Sequence, residues 1–275
     1  MLSGGIFLKH FAFGGVFVSD FTKITSRDNS LIKLVSQLNN SGRSRKEHGL
    51  FVIEGLRLCR DAAENGFGFT HLLVSQTAMD KYGSDIDFLY EKAERAYLLS
   101  DSVFDKISDT KSPQGIICLV KKEEKQYEIC KKGRYIALEN ISDPSNLGAV
   151  ARTAEALGID GIILSDNGCD PFAPKSLRAS MGALLRLPVI ICEDFVSVLG
   201  GSGLELYACV LAPDARSLTD VSFSDGCAAL IGNEANGLTD EAIAICNPIT
   251  IKMAGRAESL NAAVAASIVM WEMQR

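Results

Sequence analysis

The chain has little with which to build a metal centre or a disulfide framework. Its three histidines, His10, His48 and His71, lie far apart, and none stands near a cysteine at zinc-ligand spacing. Its eight cysteines are scattered without a C-x-x-C pair. Isolated thiols with apolar flanks point to a reducing, cytoplasmic setting. No metal is expected. Nor is a membrane partner, because no stretch of about 20 apolar residues is available to cross a bilayer. Nucleotide-loop signatures are missing as well: there is no G-x-x-x-x-G-K-[ST] run, and Gly200-Gly201-Ser202-Gly203 precedes a strand instead of opening a helix after one. Net positive charge is also lacking. The formal charge of −6 counts against a nucleic-acid partner. Its distribution softens that objection, since from Thr22 to Arg60 the basic residues Lys23, Arg27, Lys33, Arg43, Arg45, Lys46, Arg57 and Arg60 outnumber Asp28, Glu47 and Glu54. A local basic face can meet a phosphate backbone, although charge alone leaves an ordinary solvated surface equally open.

What is present suffices for one large domain or two ordinary ones: 275 residues, 47% of them hydrophobic. Residues 1–21 are rich in Gly and Phe but interrupted by Lys9, His10 and Asp20, and read as a disordered or loosely attached leader. Residues 22–120 read as a compact α/β module. Helices are expected over Ser30–Leu38 and Gly55–Ala63, strands over Leu50–Ile53, His71–Ser75, Ala96–Leu99 and Gly115–Val120, and a turn at Asn39-Asn40-Ser41-Gly42. The charged stretch Lys121–Gln126 marks a linker, set at 121–133. From Arg134 to Arg275 the pattern changes. Apolar runs at Tyr135–Leu138, Gly161–Leu164, Leu187–Ile191, Leu206–Leu211, Ala228–Ile231 and Ile249–Ile251 alternate with helical stretches, among them Gly148–Leu157, Ser176–Leu184 and Asn261–Trp271. That alternation predicts a mostly parallel sheet covered by helices.

Three segments carry more than helices and strands need. Residues 139–152, E-N-I-S-D-P-S-N-L-G-A-V-A-R, follow a strand, turn at Asp143-Pro144 and enter a helix. Asn146 and Arg152 are separated by about 600° of helical rotation, so for both to serve one site Asn146 should lie in the loop before regular helix begins. Residues 230–238, L-I-G-N-E-A-N-G-L, place glycines at both ends of a short loop, where backbone can approach a ligand. They also set Glu234 at the carboxyl end of a parallel strand, the edge that ligands favour. Residues 249–262, I-T-I-K-M-A-G-R-A-E-S-L-N-A, run from a strand through a loop with Gly255 into the last helix. Singly, each has a plainer account: an Asp-Pro turn with a surface arginine, a strand-to-helix turn with Glu234 in solvent, and a helix capped by Ser259 with Asn261 on its surface.

Together, in this order and spacing, the three segments and the intermediate stretch D-P-F-A-P-K-S-L-R-A-S-M-G-A resemble the signature of the SpoU family of RNA 2′-O-ribose methyltransferases, within the SPOUT superfamily. The resemblance covers residues 134–275. Residues 22–120, through F-V-I-E-G-L-R-L and S-P-Q-G-I, resemble the small ribosomal-protein-like substrate-binding domain that often precedes such a catalytic domain. The resemblance implies a deep trefoil knot in the C-terminal domain and S-adenosylmethionine lined by Gly232, Ile251, Met253 and Leu260. It further implies a homodimer whose active site lies near the interface, with the Trp271 helix as packing surface. Arg152 is the catalytic residue it implies, with Asn146, Glu234, Ser259 and Asn261 positioning it and the ribose. Family proposals make this arginine a general base assisted by substrate phosphate. A guanidinium stays protonated up to a pKa of about 12, so the role expected here is electrostatic. Arg43, Arg45, Lys46 and Arg178, with Ser180, are candidate RNA contacts. The domain layout favours rRNA over tRNA as substrate. A tRNA 2′-O-methyltransferase and a non-catalytic rRNA-binding factor are the alternatives, the latter disfavoured because all five polar candidates are present.

Overall fold

A computed structural model describes residues 21–122 and 127–275; residues 1–20 of the expected leader and 123–126 of the expected linker lie outside these. The chain divides into two compact units. One runs to Glu124 and includes Phe172–Pro174; the other comprises Lys125–Pro171 and Lys175–Arg275.

The first unit is a five-stranded sheet built from β1 (Thr22–Ile24), β2 (Leu50–Glu54), β3 (Phe69–Ser75), β4 (Ala96–Leu99) and β5 (Ile116–Lys121), in the order β1-β4-β3-β5-β2 with β5 reversed. Its helices are α1 (Ser30–Asn40), α2 (Gly42–His48), α3 (Leu56–Glu64), α4 (Gln76–Lys81), α5 (Gly83–Tyr90) and α6 (Asp101–Ile107). Ile32, Val35 and Leu38 of α1 share one face and meet Val103, Phe104 and Ile107 of α6 over Leu73, Ile117 and Leu119 of the sheet. The expected turn at residues 39–42 is in fact a junction between two helices. The Ser41 Oγ accepts from the Ser44 amide to start α2, and Gly49, left-handed at φ 61, ends it. Periodicity does not predict α2, because Arg43–His48 carries no apolar stripe.

The second unit is a seven-stranded sheet of β6 (Arg134–Leu138), β7 (Gly161–Ser165), β8 (Val189–Cys192), β9 (Glu205–Cys209), β10 (Arg216–Ser217), β11 (Cys227–Ile231) and β12 (Asn247–Thr250). All pairings are parallel, in the order β10-β12-β9-β11-β6-β7-β8. Every residue of β7 and β11 is buried, the continuous apolar run of strands covered on both faces. Helices α7 (Pro144–Ala156), α8 (Pro174–Ser180), α9 (Ala183–Arg186), α10 (Phe195–Gly201), α11 (Asp240–Ala244) and α12 (Ala262–Met273) complete the unit. From β6 the chain steps outward to β7 and β8, then returns to the other side of β6. Strand order therefore reverses between β6 and β11, and a crevice opens beyond their carboxyl ends.

Several expectations need correction. The single helix over Ser176–Leu184 is two helices, because Met181 (φ 52) and Gly182 (φ 90) turn left-handed and break the ladder. Strands β9 and β12 stop at Cys209 and Thr250, leaving Leu211 and Ile251 in loops. Helix α7 begins at Pro144, so Asn146 lies inside its first turn and not before it; Asp143 is the cap, its Oδ1 accepting from the Ser145 amide at 2.9 Å. Gly148 lets α7 pack against α8 with no room to spare: a Cβ there would sit 2.4 Å from Ala179 Cβ and 2.8 Å from the Ser176 carbonyl.

Candidate active site

Beyond the carboxyl ends of β6 and β11, three chain segments are joined by side-chain amides and one carboxylate. Glu234 reaches back from the loop after β11. Its Oε2 accepts from the Ser142 amide (3.1 Å) and hydroxyl (2.8 Å), and its Oε1 from the Asp143 amide (3.3 Å) and Asn146 Nδ2 (2.7 Å). Asn146 in turn accepts at Oδ1 from Asn261 Nδ2, at 3.0 Å. Asn261, not Ser259, caps α12: its Oδ1 accepts from the Ala263 and Val264 amides at 2.9 and 3.2 Å. Both amide orientations follow from this chain of partners, since each oxygen must accept and each nitrogen donate. One hydrogen-bonded line thus runs from the start of α12 through the start of α7 to the β11 loop.

The carboxylate is the electrostatic centre of that line. Partial burial pushes the Glu234 carboxyl upward, but donation from Asn146, from its own backbone and from Ser142 outweighs burial and brings it down to about 2. At neutral pH Glu234 is a charged acceptor with its lone pairs already engaged. Asp143 is held below the usual carboxylate range by the Ser145 amide and by Lys175, whose Nζ lies 3.0 Å from Oδ1.

Helices α7 and α12 border an open groove of ≈ 970 Å³. Asn146, Ala149, Arg152 and Thr153 line it from α7; Asn261, Val264, Ile268 and Trp271 line it from the α12 side. Asn146 and Arg152 therefore share a site although the helix turns between them, because the groove is wide enough to meet both. Arg152 is exposed and forms no hydrogen bond or ion pair among the described residues. Its guanidinium is available to a ligand, as is the second Asn261 Nδ2 hydrogen, whereas the Ser145 hydroxyl is engaged by the Asp143 carboxylate. Ser259 is exposed in the loop before α12 and is not among the groove-lining residues. The structure brings together four of the five polar candidates and leaves the fifth apart.

The four residues expected at a cofactor fall on two loops, one after β11 and one after β12. Gly232 opens the β11 loop, and a Cβ on it would lie 2.1 Å from Gly237 C and 2.2 Å from Leu238 N. Ile251, Met253 and Leu260 belong to the loop after β12 and are half-buried. Among the described residues, no intramolecular hydrogen bond engages the backbone of residues 252–260. Free peptide donors and acceptors beside partly exposed aliphatic side chains fit a nucleoside carrying an amino-acid tail.

The candidate RNA contacts separate into two kinds. Arg43 and Lys46 are exposed on α2, Arg43 paired with Glu47 at 2.7 Å. Arg45 is buried, its guanidinium donating to the carbonyls of Leu38 and Asn39 at the end of α1. It satisfies a helix terminus, and that employment replaces the RNA contact expected of it. Arg178 on α8 is half-buried. Ser180 is fully buried and donates to the Leu177 carbonyl at 2.8 Å, so it too is structural. Sequence reasoning missed Asn140, Ser142, Ser165 and Asn233, whose bonds shape the loops. Asn233 before a short Gly-closed loop was the one readable signal, since Asn often bonds backbone two residues on.

Comparison with known proteins places the chain. The SpoU rRNA Methylase family model matches residues 133–271, and an MRM3-like substrate binding domain model matches residues 29–118. The chain belongs to the SpoU rRNA methylase family. An uncharacterized tRNA/rRNA methyltransferase of Synechocystis is 32% identical over 94% of this chain and 95% of its own length. The 23S rRNA (guanosine(2553)-2′-O)-methyltransferase RlmP of Bacillus subtilis is 28% identical over 92% of this chain and 99% of its own. Among solved structures, the AdoMet-bound rRNA methyltransferase of Sinorhizobium meliloti superposes with a TM-score of 0.81 at 28% identity, covering 92% of this chain and 97% of that one.

Proposed function

We propose that the chain methylates the 2′-hydroxyl of a ribose in structured RNA, rRNA in preference to tRNA, using S-adenosylmethionine. The observation that carries this reading is the meeting of Arg152, Asn146 and Asn261 along one groove, with Glu234 bonded behind Asn146. The 23S rRNA named as target of the Bacillus relative supports the choice of rRNA. S-adenosylmethionine supplies a methyl group activated on a sulfonium. The protein must align the ribose oxygen for in-line attack and accommodate its proton. Arg152 offers a planar fork of donors to a phosphate and to the charge that develops on the 2′ oxygen. Glu234 is not the base, because a carboxylate near 2 is too weak an acceptor and its bonds are spent on Asn146 and Ser142. The proton goes to substrate phosphate or to water. Ser259, exposed in the loop before α12, is the remaining polar residue assigned to positioning Arg152 and the ribose.

Residues 22–120 serve as the RNA-binding domain, a role supported by the substrate-binding-domain match at residues 29–118. The segment after β12 forms the trefoil knot of the SPOUT fold. A second copy of the chain covers the α12 stripe of Val264, Ile268 and Trp271, which are 47%, 36% and 59% exposed at helical spacing. The work is done in the cytoplasm, in keeping with eight free thiols.

Purified protein incubated with tritiated S-adenosylmethionine and unmethylated total RNA tests this reading. Label in a 2′-O-methylnucleoside of rRNA, absent with Arg152→Ala, is the expected result. Label confined to tRNA moves the substrate. No label in any RNA, with cofactor binding intact, favours the non-catalytic rRNA-binding factor, and loss of cofactor binding overturns the methyltransferase reading. Near-normal turnover by Arg152→Lys would remove the fork-like role, since an ammonium cannot reproduce that geometry.

A further inference from the structure

Asn233 has both ends of its side-chain amide in use. Its Oδ1 accepts from the Ala235 and Asn236 amides at 2.9 and 3.1 Å, and its Nδ2 donates to the Asn140 carbonyl at 2.7 Å. Its backbone closes the loop as well: Asn233 N donates to the Gly237 carbonyl at 3.0 Å, and Gly237 N donates to the Asn233 carbonyl at 2.9 Å. The far end of the tether is itself anchored. Asn140 is held left-handed at φ 53, its amide donating to Ser165 Oγ at 2.7 Å and its Oδ1 accepting from that hydroxyl at 3.0 Å. One residue earlier, the buried Glu139 carboxylate accepts the amide and hydroxyl of Thr239, both at 2.8 Å, just past the other end of the loop. Residues 139 and 140 therefore clasp the 232–238 loop at both ends.

Asn233 does not line the groove, and its tether uses atoms other than those by which Glu234 is bonded to Ser142, Asp143 and Asn146. Resting on the methyltransferase reading above, we propose that Asn233 is a positioning residue for S-adenosylmethionine: its tether to the Asn140 carbonyl sets the 232–238 loop in the shape that receives the cofactor. Asn233 acts on the cofactor through the loop backbone and takes no part in methyl transfer.

The test uses the full chain as wild type, Asn233→Ala and Asn233→Asp, with calorimetry of S-adenosylmethionine binding and steady-state kinetics on the RNA substrate. Asn233→Asp keeps the acceptor for the two amides and lacks the donor but adds a charge beside Glu234, whereas Asn233→Ala removes the tether without adding charge, so a loss common to both reports the tether. Asn233→Asp should raise the cofactor Kd and KM about tenfold, one hydrogen bond's worth, and Asn233→Ala, which loses three, by at least as much, with kcat within about twofold. Cofactor affinity unchanged in Asn233→Asp overturns the proposal, as does a fall in kcat at constant KM, or a lowered Tm with KM unmoved. Wild-type protein that fails to bind S-adenosylmethionine condemns the methyltransferase reading instead, which keeps the two failures apart. Should Asn233→Ala misfold by near-UV circular dichroism, Asn233→Asp decides alone.

Discussion

The loops that follow β11 and β12 are opposites in construction. Residues 232–238 are pinched shut by a backbone pair, filled by the Asn233 amide and pinned by Glu234 to the 142–146 segment. Residues 252–260 are longer, mostly exposed, and without an intramolecular backbone hydrogen bond among the described residues. Their glycines make the contrast concrete. A Cβ on Gly232 would lie 2.1 Å from backbone, whereas one on Gly255 meets nothing within 4 Å. The first loop is finished before a ligand arrives; the second has its peptide groups still to satisfy. If both loops meet the cofactor as proposed above, part of the ordering entropy is settled during folding and part at the moment of association.

Gly232→Ala attacks the finished loop most directly. Overpacking against backbone that cannot yield should cost about 3 kcal/mol, and cofactor affinity, read by calorimetry, should fall roughly a hundredfold. Asn146→Ala removes the shared amide and leaves Glu234 and Asn261 each short of a partner. A loss of about 1–3 kcal/mol is expected in denaturant unfolding. Glu234→Gln gives a smaller effect with a distinctive pH dependence. The wild-type carboxyl is lowered in the folded state, so its stabilisation is fully present above the ordinary carboxylate range and disappears as pH falls through that range towards about 2. The stability gap between wild type and Glu234→Gln should be open at neutral pH and close on acidification. At the other extreme, Gly255→Ala should change stability by less than about 0.5 kcal/mol. Amide exchange completes the comparison: residues 235–237 should be protected in the free protein, and residues 252–260 only once S-adenosylmethionine is added.

Strands β6, β7 and β11 were legible because they are covered on both faces, whereas the two-residue β10 was not read at all. The runs in β6, β7 and β11 need no tertiary information to stand out, and the three polar segments sit where those runs end. Legibility failed where identity is decided by a distant partner. Arg43, Arg45 and Lys46 are alike as text, and only the fold of α2 against the end of α1 buries the middle one. Ser259 and Asn261 are both good helix caps; the choice of Asn261 is coupled to its bond with Asn146, 115 residues away in sequence. The Ser176–Leu184 helix broke at Met181, a residue type that carries no warning of a positive φ. Asn146 was placed before its helix by treating the helix face as narrow, an error only the breadth of the groove could correct.

The pinch between Asn233 and Gly237 has a chemical consequence unrelated to binding. Asn236-Gly237 is the dipeptide most prone to deamidation, in which the glycine nitrogen attacks the asparagine side chain to close a succinimide ring. Here that nitrogen is committed, its hydrogen donated to the Asn233 carbonyl at 2.9 Å and its residue fixed at φ 72. The attacking geometry is denied for as long as the loop keeps its shape. An exposed loop that would age quickly as a free peptide is thereby preserved in the folded protein, and the accumulation of isoaspartate at residue 236 becomes a slow clock for how often the loop opens.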